Sequence, residues 1–401
     1  MRSFFFFVFV IACWINPAIA GEEPVGDTAA NPLFVDPATT NFSQNEDLLD
    51  RVLASPHGYF RFINIPFSQL VCKIVDERMI NMPSMNLHGD AHLEQYAITD
   101  IGRGLTDFDD ASTGPGVIDI MRMGVSIHLA ARESGWPEYA DSLSNLFLKG
   151  YADALDNPEM EASEPSVVER IRAGFTVNRS KYFEWVASVM QPMEASVTDS
   201  LIAALVPYIE TKIAERPDRD PVYFKVTDCG YLQMGIGSAL DMKFLVRIEG
   251  ESGDPHDDVV LECKEVRDLS GIECIDPGRE KDPFRILVGQ TRIAYNPFRH
   301  LGYFRFRNRN FWVHSWVDNY KEIKIGKSFA NPGEMAEVVY DIGVQLGRGH
   351  VKHIAYPLDL QLRREQAALL REHKDEAMKG FAKLADQTVA AWERFCEACK
   401  S

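Results

Sequence analysis

The residues best suited to chemistry are acids and amides in one stretch, NLHGDAHLEQYAITDIGRGLTDFDD, at residues 86–110. Asp90 is followed by the amide Gln95 and then by Asp107 and Asp109. Magnesium prefers oxygen ligands, and phosphoryl transfer also needs a base that orients a hydroxyl and accepts its proton. The spacing therefore suits one loop that bears the base, a short β-hairpin, and a second loop that bears a metal-binding carboxylate.

Two other interpretations of the same stretch stay open. His88 and His92 are candidate zinc ligands, although two histidines without a third ligand are weak grounds for a zinc site. Alternatively, the two histidines cap a turn and the aspartates belong to a solvated loop. The residue types alone do not choose among a metal-phosphate site, a zinc site and a surface loop.

The elements that must position these residues follow from hydrophobic periodicity. Apolar residues recur at three- and four-residue spacing across 46–215, which predicts helices. Residues 216–325 are rich in β-branched and aromatic residues with period-two stretches, which predicts strands. Helical spacing returns in 326–401, where NPGE at 331–334 is typical of a helix start. This order predicts an α+β fold in which a β-rich lobe is inserted between two parts of a helical lobe.

Composition bounds the class of protein. The chain has 401 residues, of which 46% are hydrophobic and 25% charged, as in ordinary globular proteins. The formal net charge of −17 argues against sequence-independent binding to nucleic acids and against docking on anionic lipid. No feature of the sequence indicates an oligomeric state.

The N-terminus is typical of an exported protein. Residues 1–20 combine the positive charge of Arg2, an apolar run and a small-x-small end at Ala18–Ala20, which predicts a signal peptide. The apolar run is too short to span a bilayer, and no other segment has the length and apolarity of a transmembrane helix. We expect a periplasmic or secreted protein, with an extended lead-in at 21–45. Lipidation at Cys13 is the alternative.

Six cysteines follow the predicted signal peptide, and an even number in an oxidising compartment permits disulfides. Cys263 and Cys274 are plausible partners. Cys396 and Cys399 lie three residues apart at the end of a helical pattern, so they are candidates for a redox-active pair or a local disulfide.

Several motifs, in consistent order over roughly residues 46–375, resemble a bacterial family known as "domain of unknown function 2252". The family pattern runs SPF-x-F-x-R, GDAHL-x-NFG, NDFDE, GP-x-x-WD-x-x-R, GVGSVGTR-x-Y and a strand that ends in VKEA. The matching segments here are SPHGYFRF (55–62), GDAHLEQYA (89–97), TDFDDA (106–111), GPGVIDIMR (114–122), GIGSALDMKF (235–244) and LECKEV (261–266).

The first of these motifs also resemble the catalytic core of the aminoglycoside-phosphotransferase branch of the protein-kinase-like superfamily. This resemblance implies a bilobal protein-kinase-like fold that uses ATP and magnesium. In an ordinary kinase the glycine-rich loop and its lysine precede the catalytic loop, whereas here they follow Asp90 and Asp107. The resemblance therefore implies a circularly permuted chain, with 216–325 as the small nucleotide lobe and 326–401 completing the helical lobe.

Roles in the helical lobe carry over residue by residue. Asp90 matches the general base, Asp107 matches the metal-binding aspartate, and Asp109 is a second candidate ligand. Gln95 stands where the family has asparagine, the second metal ligand, and its additional methylene changes the reach of the amide. Asp119 matches an aspartate that braces the catalytic loop through backbone N–H groups, with Arg122 packed beside it.

In the β lobe, the resemblance implies that Gly235, Gly237 and Ser238 form a loop over phosphates, since glycine lets backbone N–H groups approach anions. Lys264 is implied to contact the nucleotide phosphates. Glu273, or a residue near Gln290 and Arg292, is a candidate to hold that lysine. The aromatic residues Trp312, His314 and Trp316 are predicted to be core.

Three functions follow as expectations. The first is an exported ATP- and magnesium-dependent phosphotransferase, or nucleotidyl-transferase, with an unidentified small-molecule or protein acceptor. The second is a catalytically silent kinase-like module that binds a ligand in the same cleft. The third, a thiol-redox or structural envelope protein centred on Cys396 and Cys399, has the least support in the sequence.

Overall fold

The computed structural model describes residues 31–42, 46–82, 84–216, 221–232, 241–279 and 281–400. The predicted signal peptide and most of the predicted lead-in lie outside these ranges, as do Gly235, Gly237 and Ser238. Within the described ranges, none of the helices has the combination of length and apolar character that crossing a bilayer requires. The chain is a mixed α+β structure.

The helices that the structure describes are α1 (Glu46–Leu53), α2 (Pro56–Phe62), α3 (Asn64–Ile74), α4 (Glu77–Ile80), α5 (Val117–Glu133), α6 (Ala140–Asp156), α7 (Ser166–Arg172), α8 (Arg179–Val189), α9 (Ala195–Glu215), α10 (Phe284–Ile293), α11 (Pro332–Val351), α12 (Leu358–Glu372) and α13 (Lys374–Ala398). The strands are β1 (Met85–Leu87), β2 (Tyr96–Thr99), β3 (Arg103–Leu105), β4 (Ser112–Gly114), β5 (Met190–Gln191), β6 (Val226–Leu232), β7 (Lys243–Ile248), β8 (Val259–Glu265), β9 (Gly302–Phe306), β10 (Arg309–Trp316) and β11 (Tyr320–Glu322).

An antiparallel sheet of six strands in the order β5-β6-β7-β8-β10-β9 forms the β-rich part. Successive side chains on a strand point to opposite faces. One face, which includes Phe244, Cys263 and Phe311, packs on apolar residues of α9 such as Leu201. Part of the other face packs on α8. Both helices precede residue 216, so the β-rich unit gathers elements from before the predicted boundary.

The helical part is built around α5, α6 and α11, which together contribute more than a third of the buried residues of the largest apolar cluster. Helices α6 and α11 approach closely because Gly343 and Gly347 carry no side chain. A Cβ atom at either position would collide with a backbone carbonyl of α6, from Phe147 or Tyr151. The approach of these two helices holds α11 against the β1 strand and the chain segment that follows it.

The stretch at 86–110 folds in the predicted order of loop, hairpin and loop. Strand β1 pairs with β4, and Asp90 lies in the loop that leaves β1. Strands β2 and β3 pair as the hairpin, with β11 added at the edge. Asp107 and Asp109 lie in the loop between β3 and β4. The two loops are joined at their bases by the short ladders, so their side chains face a common space.

The disulfide joins Cys72 of α3 to Cys274, with their Cα atoms 5.6 Å apart. The predicted pairing of Cys263 with Cys274 is therefore wrong. Cys263 points into the core between the sheet and α9, whereas Cys274 lies on a loop that follows β8 and contacts the helical part. Cys396 and Cys399 are free thiols. Burial raises the pKa of both thiols, which disfavours the reactive thiolate form.

Removal of the disulfide is expected to destabilise the fold strongly. The double variant Cys72→Ala/Cys274→Ala should lose about 4 kcal/mol of unfolding free energy, because cross-linking so long a loop restricts the unfolded chain. The two cysteines are 202 residues apart in sequence. Urea unfolding followed by circular dichroism measures the loss, with Cys396→Ala/Cys399→Ala as the control. A loss below about 1 kcal/mol would contradict this expectation.

Candidate active site

A cleft of about 540 Å³ lies between the sheet and the loops that carry the acids of the 86–110 stretch. This volume lies within the range of small-molecule sites. Five of the predicted site residues line it: Asp90, Gln95, Asp107, Asp109 and Lys264. The two parts of the chain that were expected to border one crevice therefore do so.

Asp119, in the first turn of α5, holds the loop that carries Asp90. Its two carboxylate oxygens accept hydrogen bonds from the backbone N–H groups of His88 (2.7 Å) and Gly89 (2.8 Å). His350 adds a third contact at 3.1 Å. Burial opposes ionisation of Asp119, but these donors hold its pKa below the ordinary value. This arrangement confirms the predicted bracing role of Asp119.

Gly89 permits the sharp turn before Asp90. Its φ angle is +81°, in the left-handed region that favours glycine. A Cβ atom at this position would also collide with the backbone carbonyl of Asp110. The Gly-Asp pair therefore lets the first loop pass close to the second.

Asp90 is buried and paired with Arg122. Arg122 Nε lies 2.6 Å and Nη2 2.5 Å from Asp90 Oδ1, which leaves Oδ2 on the side of Gln95 and His92. Burial outweighs the neighbouring guanidinium and raises the pKa of Asp90 to about 6. A carboxyl group with such a pKa changes its protonation state near neutral pH, as a general base must.

Lys264 joins the sheet to the second loop. Its Nζ lies 2.7 Å from Asp107 Oδ1 and 3.2 Å from Asp109 Oδ2. Asp109 also accepts a hydrogen bond of 2.8 Å from Trp312 Nε1. Burial and the adjacent Asp107 raise the pKa of Asp109 to about 7, whereas Lys264 holds the pKa of Asp107 well below its ordinary value. Asp107 is thus the more strongly anionic of the two acids.

Asp107 combines an unusual backbone with an exposed edge. Its φ angle is +58°, which is uncommon for a residue other than glycine, and about a third of its side chain is exposed to the cleft. Strained backbone of this kind clusters at functional sites. The geometry directs one carboxylate oxygen to Lys264 and leaves the other facing Gln95.

Gln95 lies between the two acids. Its Nε2 is 3.5 Å from Asp90 Oδ2 and 3.5 Å from Asp107 Oδ2. Oxygen and nitrogen of such an amide are assigned from neighbours, and turning the amide over presents Oε1 to the same space. One amide and two carboxylates then give oxygen donors of the type that suits magnesium.

The zinc interpretation finds no support. In the ranges that the structure describes, no group of three His, Cys, Asp or Glu side chains is placed to hold a metal ion, whether a zinc set with both histidines or a set of three carboxylates. His88 Nε2 instead lies 2.9 Å from the carbonyl of Thr106, which ties the first loop to the second. His92 is completely buried.

Aromatic side chains form the sheet wall of the cleft. The His314 ring stacks on Trp312, with centroids 4.6 Å apart, and on Phe298, with centroids 4.5 Å apart. At the cleft edge, Trp316 stacks on Trp185 of α8, with centroids 4.6 Å apart. Trp312 and His314 are buried as predicted, whereas Trp316 is only partly buried, and all three line the cleft.

A model of the family described as "Uncharacterized protein conserved in bacteria (DUF2252)" matches residues 48–191 and 175–398. The chain belongs to this family. Neither the curated proteins nor the solved structures include a match to it. The family description names no activity, so the function of this DUF2252 protein must be inferred from its site.

Lys243 and Arg267 are among the cations lining the cleft that were not predicted from the sequence. Lys243 lies directly opposite Lys264 in the ladder between β7 and β8, and burial with the adjacent Lys264 charge lowers the pKa of Lys243. Arg267 contacts Asp110 at 3.0 Å and Asp241 at 2.6 Å. Period-two alternation in β7 would have placed Lys243 on the cleft face, but only the register between strands aligns it with Lys264.

Glu273 and Arg292, the predicted candidates to hold Lys264, do not line the cleft. Glu273 is exposed on the loop beside Cys274 and does not hold Lys264, whose ion pairs are with Asp107 and Asp109. Arg292 of α10 binds Asn86 Oδ1 at 2.6 Å instead. The segment with Gly235, Gly237 and Ser238 lies outside the described residues.

Proposed function

We propose that the protein is a kinase-like phosphotransferase that moves a phosphoryl group from a magnesium-bound nucleoside triphosphate to the hydroxyl group of an acceptor. The observation that carries this proposal is the contact of Lys264 with Asp107 at 2.7 Å, in the same cleft as Asp90 and Gln95. A base, a metal-type carboxylate, an amide and a lysine are the parts that phosphoryl transfer requires.

The proposed fold is a circularly permuted kinase-like one. Its support is that the sheet and the helical part flank the cleft, and that the lysine strand β8 follows the catalytic loops in the chain. Helix α11 then plays the part of the helix that leads into the catalytic loop, since Asn86 of β1 donates hydrogen bonds to the last carbonyls of α11. Circular permutation is tolerated when the new chain ends lie at exposed sites.

The residues present fit a magnesium-nucleotide. Asp107 and the amide oxygen of Gln95 would hold the metal, with Asp109 as a further donor, and the metal supplies charge neutralisation on the phosphates. Lys264 and Lys243 add positive charge on the sheet side. The aromatic wall at Trp316 and Trp185 offers faces on which a nucleobase stacks.

The chemical step uses Asp90 as the proton acceptor. The acceptor oxygen forms a bond to the terminal phosphorus as the bond between that phosphorus and the bridging oxygen breaks. The hydroxyl proton passes to Asp90 Oδ2, and nucleoside diphosphate leaves. Arg122 holds Oδ1 and so keeps the carboxylate in one orientation.

One observation favours the second candidate, a silent kinase-like binding module. Two nitrogens of Arg122 contact Asp90 Oδ1, and this ion pair reduces the basicity that burial gives the carboxylate. Binding without turnover would support this alternative. Release of pyrophosphate instead of nucleoside diphosphate would indicate nucleotidyl transfer.

Export is part of the proposal. Residues 1–20 have the composition of a signal peptide, and the Cys72–Cys274 disulfide is of the kind that forms in oxidising compartments. The protein would then act in the periplasm or outside the cell.

Binding of magnesium-ATP to the protein without residues 1–20 tests the proposal. We expect quenching of tryptophan fluorescence and, at 100 times Kd, about 2.7 kcal/mol of added stability. Trp316→Phe should remove much of the quenching, whereas Trp136→Phe, outside the cleft, should not. Asp107→Asn should abolish the magnesium dependence. Failure of nucleotide to bind, with or without magnesium, would refute the proposed function.

A further inference from the structure

The ratio of basic to acidic residues is higher in the cleft than in the whole protein. The whole chain has 42 basic and 59 acidic residues. Among the described residues that line the cleft, the two kinds are equal in number. The basic ones are Arg51, Arg61, Lys243, Lys264, Arg267, Lys321 and Lys324, and the acidic ones are Asp90, Asp107, Asp109, Asp110, Glu262, Asp318 and Glu322. A cleft of this kind on an acidic protein attracts anions more than the remaining surface does.

Most of these cations have carboxylate partners within the cleft walls. The pairs are Lys264 with Asp107, Arg267 with Asp110, Arg61 with Glu94 at 2.7 Å, and Lys324 with Glu322 at 2.7 Å. These cations are therefore largely neutralised before any ligand binds.

Arg51 of α1 differs from them. Its Nε donates to the backbone carbonyl of Asp47 at 2.9 Å, and across the described ranges no carboxylate forms an ion pair with its guanidinium. Burial lowers the pKa of Arg51, the Asp47 carboxylate partly offsets this effect, and the Arg61 charge lowers the pKa further. Both guanidinium groups line the same cleft, and an anion bound by both would relieve the repulsion between their charges.

The contact between α1 and α2 brings the two arginines together. Gly58 of α2 lies against the backbone carbonyl of Arg51, where a Cβ atom would collide. Arg61 lies one helical turn after Gly58, so it projects from the same face of α2. The close approach of these helices therefore fixes both guanidinium groups at the helical wall of the cleft.

This wall is also the one that carries the general base. Arg61 lies close enough to Asp90 for their charges to interact, and both residues line the same cleft. Lys264 and the aromatic wall occupy the sheet side. A nucleotide on the sheet side would leave the arginine pair facing the acceptor.

We propose that Arg51 and Arg61 bind an anionic group, a phosphate or a carboxylate, of a small-molecule acceptor whose hydroxyl group reaches Asp90. This inference rests on the proposed function and names the acceptor class for the same site. Guanidinium groups suit the role because their planar donors match phosphate and carboxylate oxygens in pairs. Glu94 accepts a hydrogen bond from Arg61 Nη1 and so orients Arg61, whereas Arg51 has no ion pair among the described residues and supplies the less compensated charge.

The test is calorimetric titration of inorganic phosphate, and separately of acetate, into protein saturated with magnesium and a non-hydrolysable ATP analogue. The nucleotide occupies the lysines of the sheet side, so added phosphate reports the arginine pair. Arg51→Met should weaken anion binding about tenfold to hundredfold, as loss of a charge-assisted hydrogen bond predicts. Arg51→Lys should have an intermediate effect. Arg364→Met, an exposed arginine on α12, should have none.

Equal anion affinity in Arg51→Met and the unmodified protein would overturn the inference, as would absence of anion binding to the nucleotide-saturated protein. If the nucleotide analogue does not bind, the same titrations are made on free protein. Arg51-dependent binding there would leave the anion site standing while the proposed function fails. Binding of phosphate without acetate would restrict the acceptor to phosphorylated molecules, and the converse would restrict it to carboxylates.

Discussion

Asp90→Asn is expected to lower the rate of magnesium-ATP hydrolysis, with water in place of the acceptor, by about 10²–10⁴-fold. The substitution keeps the shape of the side chain but removes the proton acceptor. In the proposed mechanism Asp90 acts on the acceptor and its Oδ1 is held by Arg122, so nucleotide affinity should change little. Nucleoside diphosphate release measures the rate, and tryptophan quenching measures the affinity.

The pH profile provides an independent readout of the same group. Burial raises the pKa of Asp90 to about 6, so the base is protonated and inactive below that pH. The rate should rise with pH through about 6 and level off above it, and this step should be absent from Asp90→Asn. Full activity of Asp90→Asn would mean that another residue is the general base. Loss of both nucleotide binding and hydrolysis in Asp90→Asn would show that Asp90 has a structural role instead.

Arg122→Met is expected to destabilise the protein by about 3–5 kcal/mol, the usual loss when one partner of a buried ion pair is removed. Arg122 is completely buried, contacts Asp90 through two nitrogens and lies over the ring of Phe60 at 4.2 Å. Methionine keeps the apolar stem but leaves the Asp90 carboxylate buried without its cation.

The double variant Asp90→Asn/Arg122→Met completes the cycle. Since it removes both charges, it should recover part of the stability lost in Arg122→Met. Urea unfolding of the four proteins gives the coupling free energy. A loss under about 1 kcal/mol in the single variant would mean that water or another cation compensates the acid.

The short elements that carry the acids of the site could be predicted from the sequence. The order of loop, hairpin and loop between Asp90 and Asp107 depends on neighbouring residues, as does the helix start at Asn331, whose side chain accepts a hydrogen bond from Glu334 N–H. Period-two and 3.6-residue patterns report such elements because they record which face of each element is buried. The role of Asp119 came from the family resemblance rather than from any periodicity.

Periodic patterns could not predict contacts between segments that are distant in the sequence. Lys264 and Asp107 are 157 residues apart, and by pattern alone Lys264 is a surface lysine on a strand. The family resemblance predicted that Lys264 and Asp107 border one cleft. It did not predict that Lys243 lies opposite Lys264, because that alignment is set by the register between β7 and β8. It also misplaced Glu273, because loop positions after a strand depend on what the loop packs against.

The sequence by itself determined the mixed α+β class and the acids of the candidate site, because these depend on residue type and short spacing. Only the tertiary structure decided that Cys274 bonds to Cys72, and that Trp312, Trp316, Arg51 and Arg61 line the cleft. Each of these depends on which face of an element a residue occupies and on which other element docks there, and side-chain periodicity leaves the docking partner undetermined.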